Sequence, residues 1–439
     1  MTSKSTLQRL VSALGLGILM TGLSSCQPIQ QAMSSDVVQL AKEVLSGNAY
    51  GSRDSYTQDR YLKDIELPTE TSLYFGAVAG GGAPSYNEIA LEKNVLYFQR
   101  SLRELGFSVE AASLFFASGN DWEETVRYLD EDGDERFKAA EIPELDGGAT
   151  IENTYSWFKA IAEAEKPCPA FFYFTGHGAY NPENEDDNAL ILWEEDLVSV
   201  QEFTSWLAPL PDDQPFVTMM AQCYAGAFAN LIYENGDPEQ PVALQTRCGF
   251  FATVASRPSV GCTPAVNEAD YKDYSSSFFA GLTGRDRIGN PVSSADYNQD
   301  NQISYAEAHA FAKVDEETTD WPISTVEAWL QRQVSPSEIE QILAVPIEEL
   351  SAIARPEQRY VVTELSKLVG FEPKRSYTDN DSRSGPSEPE TVDEAYRMRL
   401  RMEIINIGAE ERVRASQDSV QIAALDRILS CEAGSWQAL

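Results

Sequence analysis

A chain of 439 residues with 43% hydrophobic side chains can form one large domain with extensions, or two to three domains, around a real core. It carries 69 Asp and Glu against 33 Lys and Arg, a net charge of −36. That acidity argues against a nucleic-acid partner, whose phosphates it would repel, and suits cation binding and a well-solvated surface.

Residues 1–25 read as a targeting segment rather than as part of the fold. Lys4 and Arg9 lead into the apolar stretch LVSALGLGILMTGL, too short for a comfortable membrane span. Leu-Ser-Ser-Cys, ending at Cys26, closely resembles the bacterial lipoprotein processing box. The resemblance implies cleavage before Cys26, lipid on its thiol, and a place in the bacterial cell envelope, anchored to the membrane. An Asp at position 27 would resemble the inner-membrane retention signal, so Gln27 favours the outer membrane. Residues 26–70 are polar and irregular, a tether with one helix near Asp36–Leu45.

From Ser72 to about residue 315 apolar strands alternate with amphipathic helices. SLYFGAVAGGG, ASLFFASG, PAFFYFTGHG, PFVTMMAQC and CGFFATVAS read as strands. LEKNVLYFQRSLRELGF, IENTYSWFKAIAEAE, YAGAFANLIYE and YSSSFFAGLTG read as helices. This order predicts an α/β domain, residues 71–315, with a mostly parallel sheet flanked by helices on both faces. Residues 316–439 form a helical C-terminal extension. A polar break at 378–390 precedes one long helix from about Val392 to Leu429.

In such a sheet the working groups gather in loops at the carboxyl ends of the strands. Two candidates stand there: His177, just past the strand FFYFT, and Cys223, at the strand-to-helix turn Gln222-Cys223-Tyr224-Ala225-Gly226. An imidazole beside a thiol can take its proton and later return it to a leaving amine. Gly178 lets a substrate backbone approach and leaves its N–H for an oxyanion. A helix starting after Cys223 would favour its thiolate.

An apolar strand ending in His-Gly, followed by a second one ending in Cys, resembles the caspase–legumain clan of cysteine peptidases. FFYFTGHG is similar to the histidine strand of legumain-type and metacaspase-type enzymes. QCYAG is similar to their Cys-x-Ser-Gly turn, with Ala225 in place of Ser. The resemblance spans roughly residues 70–315. It implies a caspase-like fold, His177 as general base and acid, Cys223 as nucleophile, and the N–H groups of Gly178 and Cys223 as oxyanion hole. Its substrate would be a protein or peptide, cut after one chosen P1 residue, with no organic cofactor. Metacaspases carry an Asp two residues before the cysteine. Ala221 stands there, so their basic P1 preference does not carry over. Arg257 follows CGFFATVAS, where these folds build the S1 pocket; a basic residue there would favour an acidic P1.

Two acidic stretches have the spacing of EF-hand loops, in which oxygen ligands at alternate positions wrap a hard cation. In residues 130–141 these are Asp130, Asp132, Asp134 and Glu141 at position twelve. In residues 296–307 they are Asp296, Asn298, Asp300, Gln302 and Glu307, with Ser304 between. Phe137 and Ile303 occupy position eight. Position six, normally Gly, is Glu135 in the first loop and Asn301 in the second; Asn tolerates a left-handed backbone far better than Glu. The expected cation is Ca²⁺ in both.

His309, at helical spacing after the second loop, reads as structural. With two histidines in the chain, a zinc site built on histidine is not expected. Cys248 and Cys262 are near enough in sequence to close a small loop, and Cys168 and Cys431 to pair or remain thiols, but spacing fixes no connectivity. Three functions stay open: a cysteine endopeptidase, a calcium-dependent binding lipoprotein on the same fold, and a transpeptidase that resolves the acyl-enzyme with an amine.

Overall fold

The computed structural model describes residues 71–381 and 391–437, with Ile65, Leu67 and Pro68 before them. The targeting segment, Cys26 and the helix expected near Asp36–Leu45 lie outside the described residues.

Strands β1 (Tyr74–Gly80), β2 (Ala112–Phe116), the hairpin β3 (Val126–Leu129) and β4 (Glu135–Lys138), and β5 (Ala170–Ala179) come first. They are followed by β6 (Ala189–Ile191), β7 (Leu197–Ser199), β8 (Phe216–Ala221), β9 (Arg247–Phe251) and β10 (Ile323–Ser324). The main sheet runs β10-β9-β8-β5-β1-β2, parallel throughout except for the antiparallel edge strand β10.

Alternation along β5 shows why its sequence is an unbroken apolar run. Phe171 and Tyr173 enter the core under α1 (Ile89–Glu104). Phe172 and Phe174 enter the opposite core, with Trp157 and Phe158 of α2 (Ile151–Ala162) and Phe203 of α3 (Val200–Leu207). A strand covered on both faces has no polar side. Helix α4 (Tyr274–Thr283) and helix α5 (Tyr305–Asp315) complete the α1 face. The fold is α/β, a mostly parallel sheet with helices on both sides.

Beyond β10 the chain is helical: α6 (Thr325–Arg332), α7 (Pro336–Leu343), α8 (Ile347–Ile353), α9 (Pro356–Val369), α10 (Tyr377–Asn380), α11 (Val392–Ala415) and α12 (Ser419–Glu432). Residues from α6 to α12 share one hydrophobic cluster with Phe172, Phe203 and Phe251 of the sheet region. Cys431 of α12 is disulfide-bonded to Cys248 of β9, a connectivity that spacing had left open. Trp436 packs edge-on against Phe75 and Phe171, with ring centroids 4.9 and 5.0 Å away.

Two elements differ from the sequence reading. The single long C-terminal helix is two, broken where Gln417 takes a left-handed φ of 59° and Asp418 caps α12. The stretch after Cys223 is a 3-10 helix over Ala225–Ile232, entered through Tyr224 at φ 61°. Gly226 explains the tight path, since a Cβ there would lie 2.7 Å from the Ala255 nitrogen. Among the described residues no helix is long and apolar enough to cross a membrane.

Candidate active site

His177 was expected just past a strand; it lies inside β5, where that strand changes partners. Parallel pairing with β8 ends at Thr175 and with β1 at Gly176. Residues 177–179 then pair antiparallel with β6. His177 is thereby held in register by β6, and by alternation with Phe171 and Tyr173 its side chain stands on the α1 face of the sheet.

Its partner is a residue that sequence reasoning missed. His177 Nε2 lies 3.0 Å from Glu88 Oε2, across 89 residues of sequence. Glu88 is the residue just before α1, delivered there by the glycine-rich turn that follows β1. In that turn Gly81 N–H donates to Asn87 Oδ1, and a Cβ on Gly81 would meet the Tyr86 carbonyl oxygen at 1.9 Å. The only local signal was an acid at a helix start, which reads as an ordinary dipole partner. Glu88 Oε1 also accepts from Arg127 Nη2 at 2.7 Å. Burial pushes the Glu88 carboxyl up, but His177 and Arg127 together outweigh it and hold the group below its ordinary range.

An ionised carboxylate can only accept hydrogen bonds. His177 Nε2 must therefore carry the proton in that contact, and Nδ1 is the basic nitrogen of the neutral ring. Tyr86 closes the other side, its ring edge-on to the imidazole at 5.2 Å.

Cys223 lies two residues past the end of β8, the strand adjacent to β5. Its carbonyl oxygen would be 2.0 Å from a Cβ at position 178. Only glycine permits the two backbones to meet so closely, and that explains the glycine after His177. The Cys223 sulfur accepts from Ser259 N–H at 3.4 Å. Ser259 is held in turn by buried Asp320, which accepts from Ser259 Oγ at 2.5 Å and from Val260 N–H at 3.0 Å. Burial first, and then the neighbouring Glu316, raise the Asp320 carboxyl far above the usual carboxylate range.

A small cavity beside Cys223 is lined by Asn94, Thr175, Ala221, Ser259, Cys262 and Asp273, among others. Arg257 is not one of these lining residues. Its guanidinium lies 4.2 Å over the Trp321 ring, and its carbonyl accepts from Tyr224 N–H at 2.8 Å. Arg257 thus braces the cysteine turn through its backbone. Cys262 is the second residue that the sequence did not single out for this place. Its sulfur, a nitrogen of His177 and a Glu88 oxygen all lie within 4.8 Å of one another.

The two acidic loops have different structures. In the first, Asp130, Asp132 and Asp134 form the turn of the β3–β4 hairpin, and no helix leaves it. Arg136 Nε pairs with Asp130 at 2.9 Å and its Nη2 with Asp134 at 3.3 Å. Glu141 pairs instead with Lys138 at 2.8 Å, and Lys138 also holds Glu92. Protein cations thus stand among these carboxylates, and Asp130 Oδ1 accepts from the N–H groups of Asp132 and Asp134 at 3.1 and 2.9 Å.

The second loop does wrap. Asn301, at position six, has φ 69°, the left-handed turn that its sequence position called for. Asp296 accepts from the N–H groups of Asp300 and Asn301, and Asp300 accepts from Gln302 N–H. Glu307, on the first turn of α5, reaches back to the N–H groups of Tyr297, Asn298 and Ser304. Oxygen atoms of Asp296, Asn298, Asp300 and Glu307 are held by one short loop, and the donor set fits a hard cation.

His309 is buried between the Tyr274 hydroxyl, 2.7 Å from Nδ1, and Glu327, 3.2 Å from Nε2, as a structural side chain would be. No protein-family model matches this chain, and no curated protein matches it.

Proposed function

We propose that this protein is a cysteine endopeptidase of caspase–legumain type, with Cys223 as nucleophile, His177 as general base and acid, and Glu88 as the group that orients His177. The observation that carries this reading is the ionised Glu88 on His177 Nε2, with Gly178, the residue after that histidine, against the Cys223 turn. A carboxylate behind an imidazole at the mouth of a parallel sheet supports a proton-transfer role for that ring.

His177 Nδ1 takes the Cys223 thiol proton, and the imidazolium is stabilised by Glu88. The thiolate adds to the scissile carbonyl carbon, and the oxygen gains the charge. The N–H groups of Gly178 and Cys223 are the proposed donors to it. The imidazolium gives its proton to the leaving amine, and the C–N bond breaks to leave a thioester. Water, deprotonated by His177, then releases the acid and restores the thiol. An amine in place of that water would give transpeptidation by the same dyad.

The test is turnover of a positional peptide library by wild type, Cys223→Ala and His177→Ala. Both variants should be inactive with unchanged circular dichroism; turnover near the wild-type rate in either would overturn the assignment. Added amine acceptor separates hydrolysis from transfer by product mass. A folded, thiol-reactive but inert wild type would favour a non-enzymatic binding lipoprotein.

Calcium belongs to this reading at the second loop, where Asp296, Asn298, Asp300, Gln302 and Glu307 would hold it. The bound ion would cancel the carboxylate repulsion there. The melting temperature should rise with calcium and fall with chelator, and Asp296→Ala should remove the rise. Lipidation at Cys26 is proposed from the processing box, and a mature N-terminus elsewhere by mass spectrometry would refute it.

A further inference from the structure

Three ligand-bearing side chains of different chemistry converge beside the dyad: Glu88, His177 and Cys262. Their ligand atoms lie within 4.8 Å of one another, and the first two are buried. We infer that this cluster is an inhibitory zinc site, which shuts the peptidase when Zn²⁺ joins Cys262 Sγ, His177 Nε2 and Glu88 Oε2. The inhibition, though not the binding, rests on the peptidase reading above.

The ligand set selects the metal. One thiolate, one imidazole and one carboxylate suit zinc, whereas calcium and magnesium take oxygen alone. Tetrahedral zinc sets its N, O and S ligands about 3.3–3.6 Å apart. The His177–Glu88 pair stands at 3.0 Å. The cluster therefore needs adjustments of about an ångström or so to close on an ion. Arg127 leaves Glu88 Oε2 to the metal, because it holds Oε1 at 2.7 Å. Metal-binding carboxylates are commonly fixed by such an outer hydrogen bond. Cys262 is half-buried, and its thiol donates to Gly176 O at 3.7 Å.

The inhibition follows from proton accounting. In the metal-free site Nε2 carries the ring proton and Nδ1 is the base. Zinc on Nε2 moves that proton to Nδ1, and the Cys262 thiol proton leaves to solvent. Nδ1 then presents a donor and can no longer accept from Cys223. No charge or atom is otherwise exchanged.

Cobalt(II) reports on the site without any turnover, through the near-ultraviolet band that a thiolate gives on binding it. The full chain should show this band in wild type and Cys223→Ala and lose it in Cys262→Ser. Zinc should displace the cobalt, and its affinity should fall at least about tenfold in Cys262→Ser and in Glu88→Gln, which keeps the thiol. Circular dichroism checks that each variant folds. In turnover assays at fixed calcium, zinc should inhibit wild type reversibly, and the activity left in Cys262→Ser should be at least about tenfold less zinc-sensitive. A cobalt band that follows Cys223, or no band in wild type, overturns the site. If no protein shows turnover yet the band follows Cys262, the peptidase reading fails and the metal site stands.

Discussion

Replacing Glu88 by Gln tests the logic of the site at one atom. The side chain keeps its shape but has one oxygen. Arg127 Nη2 donates at 2.7 Å to Oε1 and has no acceptor lone pair of its own. The amide oxygen must therefore stay at Arg127, and the NH₂ turns toward His177. A donor facing Nε2 forces the ring proton onto Nδ1, and the base is lost. The productive orientation would set two donors against each other, at a cost of about 1–3 kcal/mol. Loss of the carboxylate that stabilises the imidazolium adds about 1.5–3 kcal/mol. Together these lower the rate by about 10²- to 10⁴-fold. The assay is alkylation of Cys223 by iodoacetamide near neutral pH, mapped by mass spectrometry so that Cys262 is counted separately, with peptide turnover beside it. Adding Arg127→Met frees the amide to turn, so the double variant should regain about tenfold over Glu88→Gln. Glu88→Gln at the wild-type alkylation rate, or a double variant no faster than the single, would refute the reasoning.

Gly178→Ala places a methyl 2.0 Å from the Cys223 carbonyl, so the two turns must separate; Cys223 alkylation should collapse while calorimetry shows a loss of about 1–3 kcal/mol. Reducing Cys248–Cys431, or Cys431→Ser, frees a loop of 183 residues; denaturant unfolding should show a loss of about 2–5 kcal/mol. Burial raises the Glu432 carboxyl to about 7 from 4.5, so the fold keeps a proton that the unfolded chain has released. That stabilisation is full below 4.5 and declines as pH rises toward 7, by about 3 kcal/mol in all, and Glu432→Gln should flatten that stretch of a melting series.

The sheet was legible because its strands are buried on both faces, and a continuous run such as FFYF has few other uses. His177 and Cys223 were legible as polar residues at the ends of such runs. Glu88 was not, since its partner is 89 residues away and its own neighbourhood is an ordinary helix start. Cys262 was hidden in a loop that takes its shape from Asp320, and Asp320 from a helix far along the chain. The two acidic loops share a spacing but not their surroundings. Both have carboxylates at alternate positions, but in the first Arg136 and Lys138 pair with them within a hairpin. No basic residue interrupts 296–307, and a helix follows at once.

Helix α5 joins the second loop to the thiol. Its first turn carries Glu307, and the loop is clamped from the C-terminal segment: Ile303 N–H donates to Gln437, Tyr305 N–H to the Gly434 carbonyl, and Ser435 Oγ to the Ile303 carbonyl. Past its far end, Arg399 of α11, fully buried, donates to the carbonyls of Lys313, Glu316, Thr318 and Asp320. A guanidinium at the end of a helix satisfies carbonyls that have no partner within it and is favoured by the helix dipole. The segment so fixed presents Asp320 to Ser259 and Val260, and Ser259 N–H meets the Cys223 sulfur. Each link is a hydrogen bond to a buried group, which costs about 1–3 kcal/mol when its partner is removed. The helices after β10 therefore do more than cover the sheet, because the position of the Cys223 thiol depends on an arginine 176 residues beyond it, as 399 and 223 differ by that number.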